Sequence, residues 1–153
     1  MKQLRFYRIS KEYTGCAVAF ELSYKENNKY DKYQAFLMAA KQANGDDANG
    51  NAKFDWDNGI TVKLGENDLF EILSVLEGRK ESVGTKGSLF HQTPGGGNKS
   101  IGLQEKDNGF FLSISAQNKE KTEVKKVFMN LSHSEASGLC VLIKKTIERI
   151  FEW

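Results

Sequence analysis

Between Gly109 and Gln117 the chain alternates strictly. Phe110, Leu112, Ile114 and Ala116 fall on one face of an extended segment, and Phe111, Ser113, Ser115 and Gln117 on the other. Ile60, Val62 and Leu64 alternate in the same way with Thr61 and Lys63, and Cys16, Val18, Phe20, Leu22 and Tyr24 line a third such face. Extended segments are predicted over 4–11, 16–24, 32–40 and 59–64, and again over 87–93, 98–104, 109–117 and 124–131. Each set is followed by apolar residues at helical spacing: Leu69, Ile72, Leu73 and Leu76 in a helix over 66–77, then Leu139, Ile143, Ile147 and Ile150 in one from 133 to 151. Ser132 and Glu135 stand at capping-box spacing at the start of the second helix. The pattern predicts an α+β fold of two ββββα repeats: two antiparallel sheets with helices packed at their base, in a single domain over 1–153.

The connections read simply. Ala43 to Asn51 offers nothing to bury and is expected to be a mobile surface loop, whereas Thr93-Pro94-Gly95-Gly96-Gly97-Asn98 reads as a hairpin turn. Leu139 to Ile143 is an apolar run around the whole circumference of the second helix, so that helix wants burial on two sides. Self-association satisfies this, as does a helix pinned between the two halves. Phe36 and Met38, opposite Tyr33, Ala35, Leu37 and Ala39, pose the same question for a strand.

Composition narrows the class. The chain has 153 residues, 39% hydrophobic, with 10 Phe, 5 Tyr and 2 Trp, which is enough for a packed core. No apolar run approaches the roughly 20 residues that cross a bilayer. The first fifteen residues mix Arg5, Arg8 and Glu12 with aromatics, so a secretory leader is not expected there, nor is a membrane partner. Cys16 and Cys140 lie far apart and read as reduced, buried thiols, which excludes a disulfide-stapled secreted domain. The net charge is +2, and residues 78–153 carry most of the excess base; this permits a polyanionic partner without requiring one.

No catalytic set assembles. Gly95-Gly96-Gly97-Asn98-Lys99-Ser100 lacks the glycine before lysine and the following helix that a phosphate-cradling loop needs. His91 and His133 are the only imidazoles, and neither has a nucleophile and third group in view. Asp55 and Asp57 straddle Trp56 and make a poor metal pair. The expectation is a non-enzyme with no cofactor and no metal.

Binding chemistry is better represented. Single-stranded nucleic acid is held by cations that follow the phosphates and aromatic surfaces that stack the bases. Arg5-Phe6-Tyr7-Arg8, Lys29-Tyr30-Asp31-Lys32-Tyr33, Lys53-Phe54-Asp55-Trp56 and Phe90-His91 with Lys99 across the turn interleave these ingredients. Ser113, Ser115, Gln117, Asn118 and Lys119 add hydrogen-bonding groups on a polar strand face.

Several of these segments resemble the Whirly family of single-stranded-DNA-binding proteins. Phe54-Asp55-Trp56, Val62-Lys63-Leu64 and the Leu69 to Ser74 helix resemble its central segment. Glu81-Ser82 with Leu89-Phe90-His91 resembles its Phe-Phe-His strand, and Gly109 to Lys119 its Ser-x-Ser-Val-Gln-Asn-Lys strand. The final helix, from Ser134-Glu135 to Trp153, is similar to its closing segment. The resemblance runs in unbroken order from about residue 13 to 153. It implies two ββββα halves packed as a pinwheel of sheets, a homotetramer, and strand faces and edges near subunit boundaries that hold single-stranded DNA with little sequence preference. One departure stands out. Plant members carry Lys-Gly-Lys-Ala-Ala-Leu-Ser on the second strand, where this chain has Tyr13-Thr14-Gly15-Cys16-Ala17-Val18-Ala19 and neither lysine.

The expected activity is therefore non-catalytic single-stranded DNA binding in DNA maintenance or transcription. Tyr7, Phe20, Trp56, Phe90 and Phe111 are the expected stacking residues, Lys53, Lys63, Lys99 and Lys119 the phosphate contacts, and Ser113, Ser115 and Gln117 the hydrogen-bonding groups. Two other readings stand beside it: an RNA-binding or annealing protein, since kinetoplastid guide-RNA-binding proteins share this fold, and a protein-interaction scaffold. The expected location is intracellular: cytoplasm or nucleoid for a bacterial or viral chain, an organelle for a processed eukaryotic one.

Overall fold

The computed structural model describes residues 3–152. Trp153, which figures in the resemblance, lies outside the described residues. Two antiparallel sheets alternate with two helices. The first contains β1 (Gln3–Arg8), β2 (Cys16–Tyr24), β3 (Tyr33–Asp46), β4 (Ala52–Phe54) and β5 (Ile60–Leu64), and is followed by α1 (Glu66–Leu76). The second runs β6 (Leu89–Gln92), β7 (Asn98–Lys106), β8 (Gly109–Gln117) and β9 (Val124–Leu131), in that order, and is followed by α2 (His133–Ile150). The two expected ββββα repeats are present, with β4 as an addition to the first.

The alternating faces place the core. Val18, Phe20, Ala35, Leu37, Ala39, Ile60, Val62 and Leu64 from the first sheet meet Ile101, Leu103, Phe110, Leu112, Ile114, Val127, Met129 and Leu131 from the second, all buried in one cluster. The helices complete it with Leu69, Ile72 and Val75 of α1 and Ala136, Leu139 and Ile143 of α2. Each helix lies against both sheets: α1 on β5 and β7, α2 on β3, β8 and β9. At their ends Phe70 stacks on Phe151 at 6.2 Å, and Lys144 pairs with Glu77 at 3.1 Å.

Two sequence expectations are corrected here. Residues 43–46 are not loop, because β3 continues to Asp46 and returns through β4 as a hairpin. Its turn is tied by the Asp47 carboxylate, which accepts from the Asn49 and Asn51 N–H groups at 2.8 Å each. Buried Gln42 anchors the extension: its Oε1 accepts from the Ser10 and Gly15 N–H groups and its Nε2 donates to the Ser10 carbonyl. Second, Cys16 and Cys140 are free, as expected, but only half-buried.

The apolar run of α2 divides. Leu139 and Ile143 enter the core, Cys140 is half-buried, and Val141 and Leu142 stand 60% and 38% exposed on the outward side. No helix among the described residues is long and apolar enough to cross a membrane.

Candidate nucleic-acid interface

The face of the second sheet turned away from the core is built by alternation alone. Register aligns Phe90 of β6, Ser100 of β7, Ser115 of β8 and Lys126 of β9 in one row across all four strands. Gly102, Ser113 and Phe128 form the next row, with Gln104, Phe111 and Asn130 beyond it; Asn98, Gln117 and Val124 lie on the other side. The centre of this face is polar and its flanks aromatic: Phe90 is 63% exposed at one edge and Phe128 54% exposed at the other.

The polar stripe is internally ordered. The Ser100 and Ser115 hydroxyls are 2.6 Å apart, and Asn98 Nδ2 donates to Gln117 Oε1 at 3.0 Å. Each pair keeps donor or acceptor capacity for an outside group, since a hydroxyl and an amide both exceed one hydrogen bond. A Cβ on Gly102 would stand 2.4 Å from Ser113 Oγ, so the missing side chain gives Ser113 its place in the row. Phe111 and Phe128 stack nearly parallel at 5.7 Å, an extended aromatic plane at the β9 side.

The outer face of the first sheet carries a second aromatic group. Ala17, Ala19 and Ala40 point away from the core yet are almost fully buried. The end of β4 and the segment after it return over this face. Phe54 packs against Tyr7 with ring centroids 5.2 Å apart, and Trp56 receives the Arg5 guanidinium at 5.3 Å in a cation–π contact.

The structure distributes the expected residues unevenly. Phe90, Phe111, Ser113, Ser115 and Gln117 share the outer face of the second sheet, and Tyr7 and Trp56 share that of the first. Phe20 is a correction: it is 5% exposed in the core, opposite Leu4 and Leu37, and presents no ring to a ligand. Lys63 and Lys99 are engaged within the protein. Lys63 Nζ is 2.6 Å from Asp31 Oδ2, and its hydrogen bond holds the Asp31 carboxyl below the usual carboxylate range. Lys99 Nζ donates to the Thr61 carbonyl at 2.5 Å, tying the second sheet to the first. Lys53 is exposed on β4, and Lys119 lies exposed over the Gly96 turn.

Phe128, Lys126, Ser100 and Asn98 were not singled out from sequence, though all four belong to this face. The signal is present in β9, where 124, 126, 128 and 130 alternate with Val127, Met129 and Leu131. The extra apolar residues Val124 and Phe128 obscure it. Among the described residues no group of three or more His, Cys, Asp or Glu side chains gathers to hold a metal ion. Burial pushes the Cys16 thiol up from its ordinary value, with Arg8 opposing, so it is a poor nucleophile.

No family model matches the sequence, and no curated protein matches it. Solved structures do. WHY3 from Arabidopsis thaliana superposes with a TM-score of 0.73 at 16% identity, covering 100% of this chain and 90% of that one. The plant transcriptional regulator PBF-2 gives 0.74 at 16% identity, covering 100% and 92%. A guide-RNA-binding protein complex, solved bound to a guide RNA, gives 0.63 at 15% identity, covering 95% and 89%. Over its whole described length, then, this chain has the Whirly-like fold that its two ββββα repeats lead to.

Proposed function

We propose that this protein binds single-stranded nucleic acid, single-stranded DNA first, on the outer face of its second sheet and without chemical turnover. The observation that carries the reading is the juxtaposition of Phe90, the Phe111–Phe128 stack and Lys126 around an ordered stripe of Ser100, Ser113, Ser115, Asn98 and Gln117. Stacking planes at both edges accept bases of any identity, the stripe offers hydrogen bonds, and Lys126 offers a phosphate contact. The likeness to a plant transcriptional regulator and to a guide-RNA-binding complex supports the same chemistry. Tyr7 and Trp56 form a secondary aromatic surface on the first sheet. Of the expected cations, Lys53 and Lys119 remain available.

The assembly proposed is a homotetramer, with the outward Val141 and Leu142 of α2 in subunit contacts. The role proposed is intracellular, in DNA maintenance or transcription. Fluorescence anisotropy with a labelled 32-nucleotide DNA strand, the matching duplex and the matching RNA tests the reading directly. Preference for the DNA strand supports it; equal, salt-labile binding to all three reduces it to charge attraction, and no binding to any overturns it in favour of a scaffold. Tighter binding to RNA favours the guide-RNA-like reading, since the stripe's hydroxyls and amides also suit a 2′-OH. Sedimentation velocity reads the assembly.

A further inference from the structure

The free edge of β9 is closed along part of its length and open along the rest. Arg8, Cys16 and Lys41 occupy mutually paired positions on β1, β2 and β3, so they form a row across the first sheet. The Arg8 guanidinium donates to the Asn130 carbonyl at 2.6 Å, and Cys16 Sγ to the Phe128 carbonyl at 3.2 Å. The third member of the row, Lys41, lines one cleft together with Lys126. There the edge opens into a cleft lined by Tyr13, Thr14, Cys16, Lys41, Lys126 and Phe128, among others. The Phe128 carbonyl points into this edge, and by alternation the Lys126 N–H and C=O do too.

Three features give the cleft a chemical character. Lys41 and Lys126 are exposed, and no carboxylate lines it. Four other surface clefts carry acids: Asp55 and Glu123 in one, Asp31 and Glu66 in a second, Glu105 and Asp107 in a third, Glu123 again in a fourth. Its mouth is aromatic, with Tyr13 37% and Phe128 54% exposed. Tyr13 also adopts φ +59°, a left-handed conformation uncommon for a bulky residue, with its N–H bonded to the Ser10 carbonyl at 3.2 Å. Strain of this kind gathers at ligand sites.

We propose that this cleft is a distinct subsite for two consecutive phosphates of a single-stranded polynucleotide, one on Lys41 and one on Lys126, with neighbouring bases against Tyr13 and Phe128. The inference rests on the nucleic-acid reading above and extends it: the strand leaves the serine stripe over Phe128 and turns down the β9 edge.

The test uses the full chain and a 32-nucleotide oligothymidine. Salt dependence of binding is measured for the parent, for Lys41→Gln with Lys126→Gln, and for Lys25→Gln, exposed in the β2–β3 turn at the far end of β2 from Cys16, with circular dichroism as a folding check. Loss of two phosphate contacts flattens the log–log salt slope by roughly 1.4 in the double variant, with no change in Lys25→Gln. Photocrosslinking of an iododeoxyuridine strand, read by peptide mass spectrometry, places adducts on Tyr13 and Phe128. If the parent binds, an unchanged slope in the double variant overturns the subsite, as does an equal flattening by Lys25→Gln or adducts on other residues alone. If the parent binds no polynucleotide, it is the underlying reading that fails.

Discussion

Arg8 and Glu135 stand 2.6 Å apart, joining the first strand of one repeat to the capping box of the helix that closes the other. The same pairing of elements recurs in reverse, without the hydrogen bond. His91 of β6 lies 3.1 Å from Asp68, the carboxylate that accepts from the Gly65 N–H at the start of α1. Each repeat thus supplies a basic side chain to the helix cap of its counterpart.

Replacing Arg8 by Met is expected to destabilise the fold by about 1–2 kcal/mol. It removes charge-assisted hydrogen bonds to Glu135 and to the Asn130 carbonyl, discounted for an Arg8 side chain that is 38% exposed. Urea unfolding gives the difference. Adding Glu135→Gln to Arg8→Met is expected to cost less than the sum of the single changes, because both act on one contact.

Acid should act through the same contact. Burial pushes the Glu135 carboxyl up, but the Arg8 hydrogen bond and the Ser132 N–H outweigh it, so the group is held below its ordinary value of 4.5. A lowered folded pKa contributes stability that is present above the ordinary value and lost as pH falls through the folded one. Glu71, hydrogen-bonded by Lys80 and the Gly84 N–H, has the same sign. Thermal midpoints are expected to fall steadily below about pH 4.5, and less steeply in Arg8→Met than in the parent.

Phe20→Ala and Phe90→Ala separate a core aromatic from a surface one. The first removes a ring that is 5% exposed and should cost about 3–5 kcal/mol of stability. The second removes one that is 63% exposed; it should leave unfolding nearly unchanged and weaken oligonucleotide binding by about 1–3 kcal/mol, as loss of one stacking plane does. Chemical denaturation and anisotropy on both variants check the pair.

Gly109→Ala should be among the costliest small changes in the chain. The residue has φ +143°, and a Cβ there would stand 2.0 Å from the Leu131 carbonyl oxygen, which is backbone and has no rotamer to yield. A loss of at least about 2 kcal/mol is expected. For a domain of this size that lowers the thermal midpoint by roughly 4–8 °C.

Most of the fold was legible because strict alternation and helical spacing are local signals, as Gly109–Gln117 and Leu69–Leu76 show. The β3–β4 hairpin was not. Asn44, Gly45 and Asp46 have poor strand character, and what holds the hairpin extended includes pairing to β4 and a buried glutamine that clamps a distant turn. Half the candidate face was readable from β8. Phe128 and Lys126 needed the β8–β9 register, which fixes what lies beside Ser113 and Ser115. The lysines misled for a similar reason: nothing local in Lys63 or Lys99 announces Asp31 or the Thr61 carbonyl.

The lodging of each helix against both sheets also governs how the chain comes off the ribosome. When α1 has emerged, the first ββββα unit is complete in sequence, yet part of the apolar side of β3 waits for α2, which starts only at His133. Until then that surface is a target for holding chaperones and for stray association. The nascent chain passes from vulnerable to closed in one late step, when α2 docks.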